Sequence, residues 1–526
     1  MDRQMMIDAL SDDKQLWDVV VIGGGATGLG VAIDAVTRGY KTVLLEQDDF
    51  SKGTSSRSTK LVHGGVRYLK QGNLSLVLEA LHERGIMIQN APHLISNQAF
   101  IVPNYDWWEG PFYGIGMKVY DMLAGRLGLR PSRNLSVREV LKRIPTLEPK
   151  GLRGGVIYYD GQFDDSRLAV NMAQTVADYG GIPLNYTEVI GLLKKEGAVA
   201  GVSAKDVETG EIHHIAARVV VNATGAFVDG ILRMDDPQAA KIVTPSQGVH
   251  LIVDKKFLPG RAAIMVPHTD DGRVLFAVPW HNKVILGTTD TQIDEVSLEP
   301  RAMEEEIDFI LTHACRYLSQ DPERKDVLSV FAGIRPLIKM GDDKSTAELS
   351  RDHNLFISPS GLVTITGGKW TTYRKMAQDT IDQAAVVAGL ERRPCVTENM
   401  RIHGWLKNIN PQEPLGYYGS DVLRIRRMID EAPALGERLY KDLPYLKAEV
   451  VWAVRNEMAR TIEDVLSRRT RALLLNARAS MEMAPVVAEL MAAELKKNKT
   501  WQKKQVAAYR KLAAGYLPAL KKEITD

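Results

Sequence analysis

Residues Asp18–Val36 read DVVVIGGGATGLGVAIDAV, and this stretch decides the fold. The run Val19–Ile22 is apolar without alternation, as in a short strand buried on both faces. Glycines at 23, 25 and 28 follow at once, and then an apolar-periodic stretch that ends at Gly39. This is strand, glycine turn and helix. Thr42–Leu45 supplies a second buried strand that closes on Glu46, completing a βαβ unit of about 30 residues. In such a unit Gly23 permits the tight turn, Gly25 lets backbone approach a pyrophosphate, and Gly28 lets helix and strand pack closely. The helix N-terminus attracts the phosphate charge, and Glu46 suits the hydroxyls of an adenosine ribose. A dinucleotide, NAD or FAD, is therefore expected here.

Two further strand-to-glycine junctions occur downstream. RVVVN (218–222) runs into Ala223-Thr224-Gly225, and LVTIT (362–366) runs into GGKWTTYRKMAQDTID. Between them VHLIVD (249–254), RVLFAV (273–278) and KVILGTT (283–289) have strand character with Pro and Gly punctuation, which predicts an antiparallel sheet inserted into the nucleotide-binding scaffold. From about Ser420 the texture becomes helical, with Val450, Val451, Val454, Met458, Ile462 and Val465 on one face. The predicted organisation is α/β: a discontinuous dinucleotide-binding Rossmann-like domain (1–95, 150–240 and 340–395), an inserted antiparallel substrate domain (96–149 and 241–339), and a helical C-terminal domain (396–526).

Composition agrees with an ordinary globular chain: 526 residues, 45% hydrophobic and 25% charged. No stretch reaches the ~18 apolar residues of a spanning helix, and the start, MDRQMMIDALSDDKQLW, is too acidic and polar for a signal peptide. An intracellular location is expected. Cys315 and Cys395 stand apart without metal-ligand spacing, so both read as core thiols and no metal is expected. The net charge of +2 conceals an asymmetry: residues 496–526 carry nine Lys/Arg against two acids, a charge of +7, which leaves −5 on the remainder. Such an end is either a solvated helix face or a surface for anionic partners.

The stretch KLVHGGVRYLK (60–70) sets a histidine, an arginine and a tyrosine in an apolar run. Taken with GTSSRSTK (53–60), ATG (223–225), VPWHNKVILGTTDT (278–291), FAGIRPL (331–337), SRDHNL (350–355) and TGGKWTTYRKMA (366–377), it resembles the FAD-dependent glycerol-3-phosphate dehydrogenases. The similarity runs from about residue 17 to 390, the helical end fits with weaker motifs, and the resemblance implies that the nucleotide-binding domain is an FAD-binding Rossmann-like domain of the glutathione-reductase and amino-acid-oxidase type. The resemblance implies oxidation of sn-glycerol 3-phosphate to dihydroxyacetone phosphate, with hydride passing from substrate C2 to flavin N5 and electrons passing on to a membrane quinone. It implies that Arg67, Tyr68, Arg335 and Arg351 line the substrate pocket, and arginine suits a phosphomonoester because its planar fork binds two oxygens at once. Lys369 is expected at the flavin N1–O2 edge, with Gly367 and Gly368 allowing close backbone approach. Thr54, Ser55 and Ser56 are expected to donate to the pyrophosphate or ribityl chain. A base for the hydroxyl proton is also required, and His63 and His250 are the candidates. Each has a plain alternative, since a lone histidine is often a structural residue and an arginine often belongs to a surface ion pair. The role of Arg57 is not predicted.

A quinone-linked enzyme must touch the bilayer, so peripheral attachment to the inner face of the cell membrane is expected. The basic end, with Trp501, Tyr509 and Tyr516 among its lysines, is one surface for it. No nucleic-acid partner is expected, and a homodimer is left open. The competing readings are a glycerol-3-phosphate oxidase using oxygen, a related flavoprotein acting on another small hydroxy or amino acid, and a non-catalytic flavin-binding protein. The first tends to carry an insertion not found here, the second has less need of three arginines and a lysine, and the third has no need of them.

Overall fold

A computed structural model of the chain describes residues 1–11, 15–65, 74–266, 274–338, 353–410 and 413–519, and two large sheets organise them. The first sheet grows around β1 (Trp17–Ile22), whose residues 19–22 are buried on both faces. Parallel neighbours flank it: Thr42–Leu45 on one side, followed by Ile182–Leu184, and Ile212–Asn222 on the other, followed by Val363–Gly367. An antiparallel strand, His353–Ile357, closes one edge. The helix Ala26–Thr37 returns the chain from β1 to Thr42–Leu45 and packs against helices Asp165–Asp178 and Tyr373–Val387. The three strands that end in glycine junctions are therefore adjacent and parallel, so Gly23, Ala223–Gly225 and Gly367–Gly368 meet at one edge of the sheet. That edge is where ligands bind in open parallel sheets.

The second sheet has ten strands among the described residues and is mixed. It is antiparallel as expected, except that Ala263–Val266 runs parallel to Ile95–Asn104. Two of its strands come from segments that the sequence places in the nucleotide-binding domain. Gly154–Phe163 pairs along its whole length with Ile95–Asn104, and Leu61–Val62 joins it at the edge. No turn or linker composition announces these crossings. The long strands Val243–Asp254 and Val327–Ile338 pair side by side and carry His250 and Arg335 towards the first sheet.

The C-terminal helices share their apolar core with the nucleotide-binding sheet: Leu473, Met483, Val487 and Met491 belong to the same buried cluster as Val20 and Leu44. The apolar stripe from Val450 to Val465 is not one helix. Lys447–Asn456 ends, Met458 adopts φ +54°, and Asp464–Arg469 starts a separate, wider turn. The break aims three arginines inward. Arg468 and Arg469 both donate to Asp49, Arg471 lies 2.9 Å from Asp164, and all of these are buried. Arg167 makes two bonds of 2.8 Å to Glu457 across the same junction. No motif in the sequence marks these charges.

The expected lipid-facing aromatics of the basic end are corrected here. Tyr509 and Tyr516 are 3% and 4% exposed and pack into the protein, and Tyr516 donates to Glu299 at 2.6 Å. Trp501 packs half-buried against the core, while the lysines at 496, 497, 499, 503, 504 and 511 face solvent. Amphipathic helix Lys499–Ala514 turns its aromatic side to its own domain because that is where apolar area is removed from water.

Replacing one partner of a buried charge cluster leaves the others uncompensated, so Asp49→Asn should cost about 3–5 kcal/mol. The urea midpoint of the FAD-loaded protein should fall accordingly, and an unchanged midpoint would contradict the clamp. Surrounding arginines hold the Asp49 carboxyl down at about 2 despite its burial. Its contribution is thus complete above the ordinary carboxylate range and is lost only as pH falls towards about 2.

Candidate active site

Two cavities meet at Thr54, which lines both. The larger, about 610 Å³, runs past the glycine junctions and is walled by Gly23, Gly25, Glu46, Thr224 and Gly225. Its shape depends on absent side chains. A Cβ on Gly23, where φ is +109°, would lie 2.7 Å from the carbonyl oxygen of Ala223, and one on Gly28 would strike the carbonyl of Gly23. Glu46 stands at the end of the second strand and accepts N–H bonds from Gly24 at 2.6 Å and Asp48 at 2.9 Å. Burial pushes its carboxyl up to about 7, against the pull of those two donors.

The loop after Glu46 threads between the cavities. Ser55 Oγ accepts the Ala26 N–H at 2.9 Å, which takes up one of the orphan donors at the helix N-terminus and leaves the hydroxyl proton to be donated. Thr54 spends its hydroxyl proton on the Ile334 carbonyl, so it can only accept from a ligand. Ser56 is buried behind the loop, and its carbonyl receives Lys60 Nζ. Thr54 thus lines both cavities with its hydroxyl proton committed, Ser55 keeps a proton to donate, and Ser56 lines neither cavity.

The smaller cavity, about 230 Å³, brings together His63, His250, Arg335, Gly367, Gly368 and Lys369. Sequence positions 63 to 369 converge because the two long strands of the second sheet end over the glycine edge of the first. Arg335 is held by its surroundings: it donates to Thr289 O at 3.1 Å, Thr288 Oγ1 at 3.3 Å and Asp290 Oδ1 at 3.2 Å. Ser246 donates to the same Asp290. Gly248 makes room, since a Cβ there would come within 2.8 Å of the guanidinium carbon. His250 is 2% exposed, stacks on Phe331 at 4.8 Å, and places Nε2 2.9 Å from Thr59 Oγ1. Burial, reinforced by the positive charges of Arg335 and Lys60, drives its imidazole well below the usual histidine value. Arg67, Tyr68 and Arg351 lie outside the described residues.

Several supporting residues lie in the quoted motifs without a role assigned to them there. Lys60 is fully buried and bonds Asp165 at 2.7 and 2.8 Å, fixing the loop beneath both cavities. Arg57 donates to Glu299 at 2.8 Å and to the Ala332 carbonyl, so it ties the same loop to the second sheet and, through Glu299, to Tyr516. Thr59 and Asp290 sit within the quoted motifs, and their roles emerge only from the partners they touch.

Comparison with known proteins bears on this arrangement. Residues 18–374 match the family model described as FAD dependent oxidoreductase, and residues 362–505 match the model described as C-terminal domain of alpha-glycerophosphate oxidase. The mitochondrial glycerol-3-phosphate dehydrogenase of Homo sapiens is 42% identical over 94% of this chain and 73% of its own length. That of Arabidopsis thaliana is 41% identical over 93% of this chain and 84% of its own length. The chain belongs to the FAD-dependent glycerol-3-phosphate dehydrogenase family. The solved structure of the Bacillus halodurans glycerol-3-phosphate dehydrogenase, complexed with FAD, superposes with a TM-score of 0.80 at 32% identity, covering 99% of each chain.

FAD is the cofactor of this family, and the larger cavity fits it on its own terms. Its backbone is stripped of Cβ atoms at the glycine turn suited to a pyrophosphate, and its lining includes a carboxylate suited to ribose hydroxyls. A Glu46 carboxyl with a pKa of about 7 makes FAD binding pH-dependent. Deprotonated Glu46 accepts more hydrogen bonds, so the dissociation constant of apoprotein for FAD, followed by flavin fluorescence, should rise as pH falls from 8 to 6. Glu46→Gln should bind more weakly, by about tenfold at pH 8, with that dependence removed. A parallel pH dependence in the variant would contradict the assignment.

Proposed function

We propose that this chain oxidises sn-glycerol 3-phosphate to dihydroxyacetone phosphate and passes the electrons to a membrane quinone. The observation that carries this reading is the small cavity in which Arg335, His250, Lys369 and His63 converge at the inner end of the flavin groove. FAD held along the larger cavity would supply the hydride-accepting ring and the route for the electrons onward.

The remaining roles belong to side chains. Arg335 faces the substrate phosphate as a permanent cation, and its hold on Asp290 fixes the direction of the fork. Arg67, Tyr68 and Arg351 complete the anion site on the strength of their motifs. Lys369 lines the same cavity and would place positive charge beside bound FAD. A base must be unprotonated at the working pH, and burial keeps His250 in that state. The hydroxyl proton leaves through Thr59 Oγ1, which lines the cavity, to His250 Nε2 at 2.9 Å. His63 lines the same cavity and orients the substrate there.

The membrane reading rests on a different surface from the basic end. No helix among the described residues is long and apolar enough to cross a membrane. Helix Glu109–Ala124 and the residues before it nevertheless expose a continuous apolar stripe: Trp108, Phe112, Ile115 and Met122 are 40%, 49%, 68% and 73% exposed, and Trp107 is 78% exposed. Their spacing places them on one helical face, with Leu74 and Leu78 of the neighbouring helix also exposed. A patch of that size, lying flat and carrying tryptophans, suits insertion into one leaflet. Oxygen as acceptor is the second reading, favoured by the oxidase that gives the C-terminal family model its description.

Steady-state oxidation of sn-glycerol 3-phosphate with a soluble dye tests the site. Arg335→Ala should lower kcat/KM by about 10²-fold, mostly through KM, while FAD content stays at the wild-type level. His250→Asn should lower kcat by about 10²–10⁴-fold. The wild-type acid limb should lie well below pH 6.5, because the His250 imidazole is depressed. A limb at or above pH 6.5, or full activity in His250→Asn, would remove His250 as the base. Oxygen uptake that matches the dye rate would replace the quinone by oxygen.

A further inference from the structure

One buried carboxylate has no part in the sites described above. Glu306, 5% exposed, stands in the first turn of helix Glu304–Cys315 and lines neither cavity. Four uncharged donors converge on it. Its Oε1 accepts Thr289 Oγ1 and Thr291 Oγ1, each at 2.8 Å, and its Oε2 accepts Gln247 Nε2 at 2.8 Å and the Met303 N–H at 3.0 Å. Together they fill the roughly four acceptor positions of a carboxylate.

The same residues hold Arg335. Along Thr288–Thr291 the side chains divide: Thr288 Oγ1 and Asp290 Oδ1 accept from Arg335, whereas the hydroxyls of Thr289 and Thr291 donate to Glu306. Extended backbone produces that alternation. Thr289 and Gln247 serve both groups, because their side chains reach Glu306 while their carbonyl oxygens accept Arg335 Nη2 at 3.1 Å and Nη1 at 3.3 Å. Each terminal nitrogen of the guanidinium is therefore bonded to a carbonyl whose residue Glu306 anchors.

The anchorage has no slack. Thr289 Oγ1 also accepts the Val249 N–H at 3.0 Å, and Gln247 Nε2 also donates to the Arg301 carbonyl at 2.9 Å. Both protons of the Gln247 amide are spent, and neither buried side chain can turn away without leaving a polar atom unpaired. An amide in place of Glu306 would accept at one atom only. Its NH₂ group would then face a second donor, Gln247 Nε2 or the Met303 N–H.

We propose that Glu306 is a positioning residue for recognition of the substrate phosphate: it touches neither substrate nor flavin, and it fixes the plane of the Arg335 guanidinium by holding Thr289 and Gln247. This role rests on Arg335 being the phosphate ligand. A long side chain loses conformational freedom when it binds an anion, and a guanidinium already fixed in the folded protein has less to lose. Removal of Glu306 should therefore weaken phosphate binding rather than hydride transfer.

The test is steady-state kinetics of FAD-loaded variants with sn-glycerol 3-phosphate and a soluble dye, with inorganic phosphate as competitive inhibitor. Glu306→Gln should raise KM and the phosphate inhibition constant together by about tenfold, with kcat within about threefold of wild type and FAD content unchanged. In an Arg335→Ala background the same substitution should add nothing further to KM, because the group it positions is gone. A wild-type KM and inhibition constant in Glu306→Gln, or an equal rise in the Arg335→Ala background, would overturn the positioning role. Should Glu306→Gln not fold, Thr291→Val removes one donor at a half-buried position and is expected to raise KM by about twofold to threefold, and no change there would count against the role. Arg335→Ala with a wild-type KM would instead remove Arg335 as the phosphate ligand, and this role with it.

Discussion

The carboxylate of Asp49 receives Arg468 and Arg469 from the C-terminal helices and the side-chain amide of Asn185 from the nucleotide-binding half, all in the interior. It sits three residues past Glu46 and a few residues before Thr54, in the loop between the Glu46 end of the larger cavity and the smaller cavity. The loop has little apolar material of its own, and ionic partners hold it at four points: Lys52 on Glu463, Arg57 on Glu299, Lys60 on Asp165, and Asp49 itself. Two of these anchors reach into the C-terminal helices directly, and a third reaches Tyr516 through Glu299. Buried charges of this kind add little net stability, but they tolerate only one register of helix against loop. The C-terminal helices therefore act as the back wall of the cofactor site.

From that frame the chemistry follows by placement. The first sheet brings three glycine junctions to one edge, and the second lays two paired strands across it, so a guanidinium, an imidazole and an ammonium reach the same small space. The imidazole is neutral because it is buried beside two cations, and that is the state in which it can accept a proton. The guanidinium is directed by Asp290, and removal of a side chain at Gly248 gives it room.

Much of this was legible in the sequence, and unevenly so. Residues 18–46 declare the βαβ unit because burial on both faces, close backbone approach and the need for an acid each leave a distinct residue type. The glycine junctions at 223–225 and 367–368 were legible for the same reason, and their convergence needed only parallel strand order. Arg335, His250 and Lys369 were found through motif likeness rather than through any local physical signal. What stayed hidden depends on long-range pairing. Arg468, Arg469 and Arg471 look like solvated residues until Asp49 and Asp164 are seen opposite them. Tyr509 and Tyr516 look amphipathic in either direction until the core beneath them is known. Thr59 and Asp290 are ordinary polar residues whose meaning lies in their partners, and Gly154–Phe163 changes sheets without a turn signal to mark it.

The most direct test is an anaerobic titration of the purified, FAD-loaded protein with sn-glycerol 3-phosphate, with flavin absorbance followed near roughly 450 nm. Stoichiometric bleaching is the result predicted, since substrate, flavin and the converging residues are taken to share one site. A flavin that stays fully oxidised at saturating substrate would leave the fold intact and contradict the assignment of this cavity to glycerol 3-phosphate.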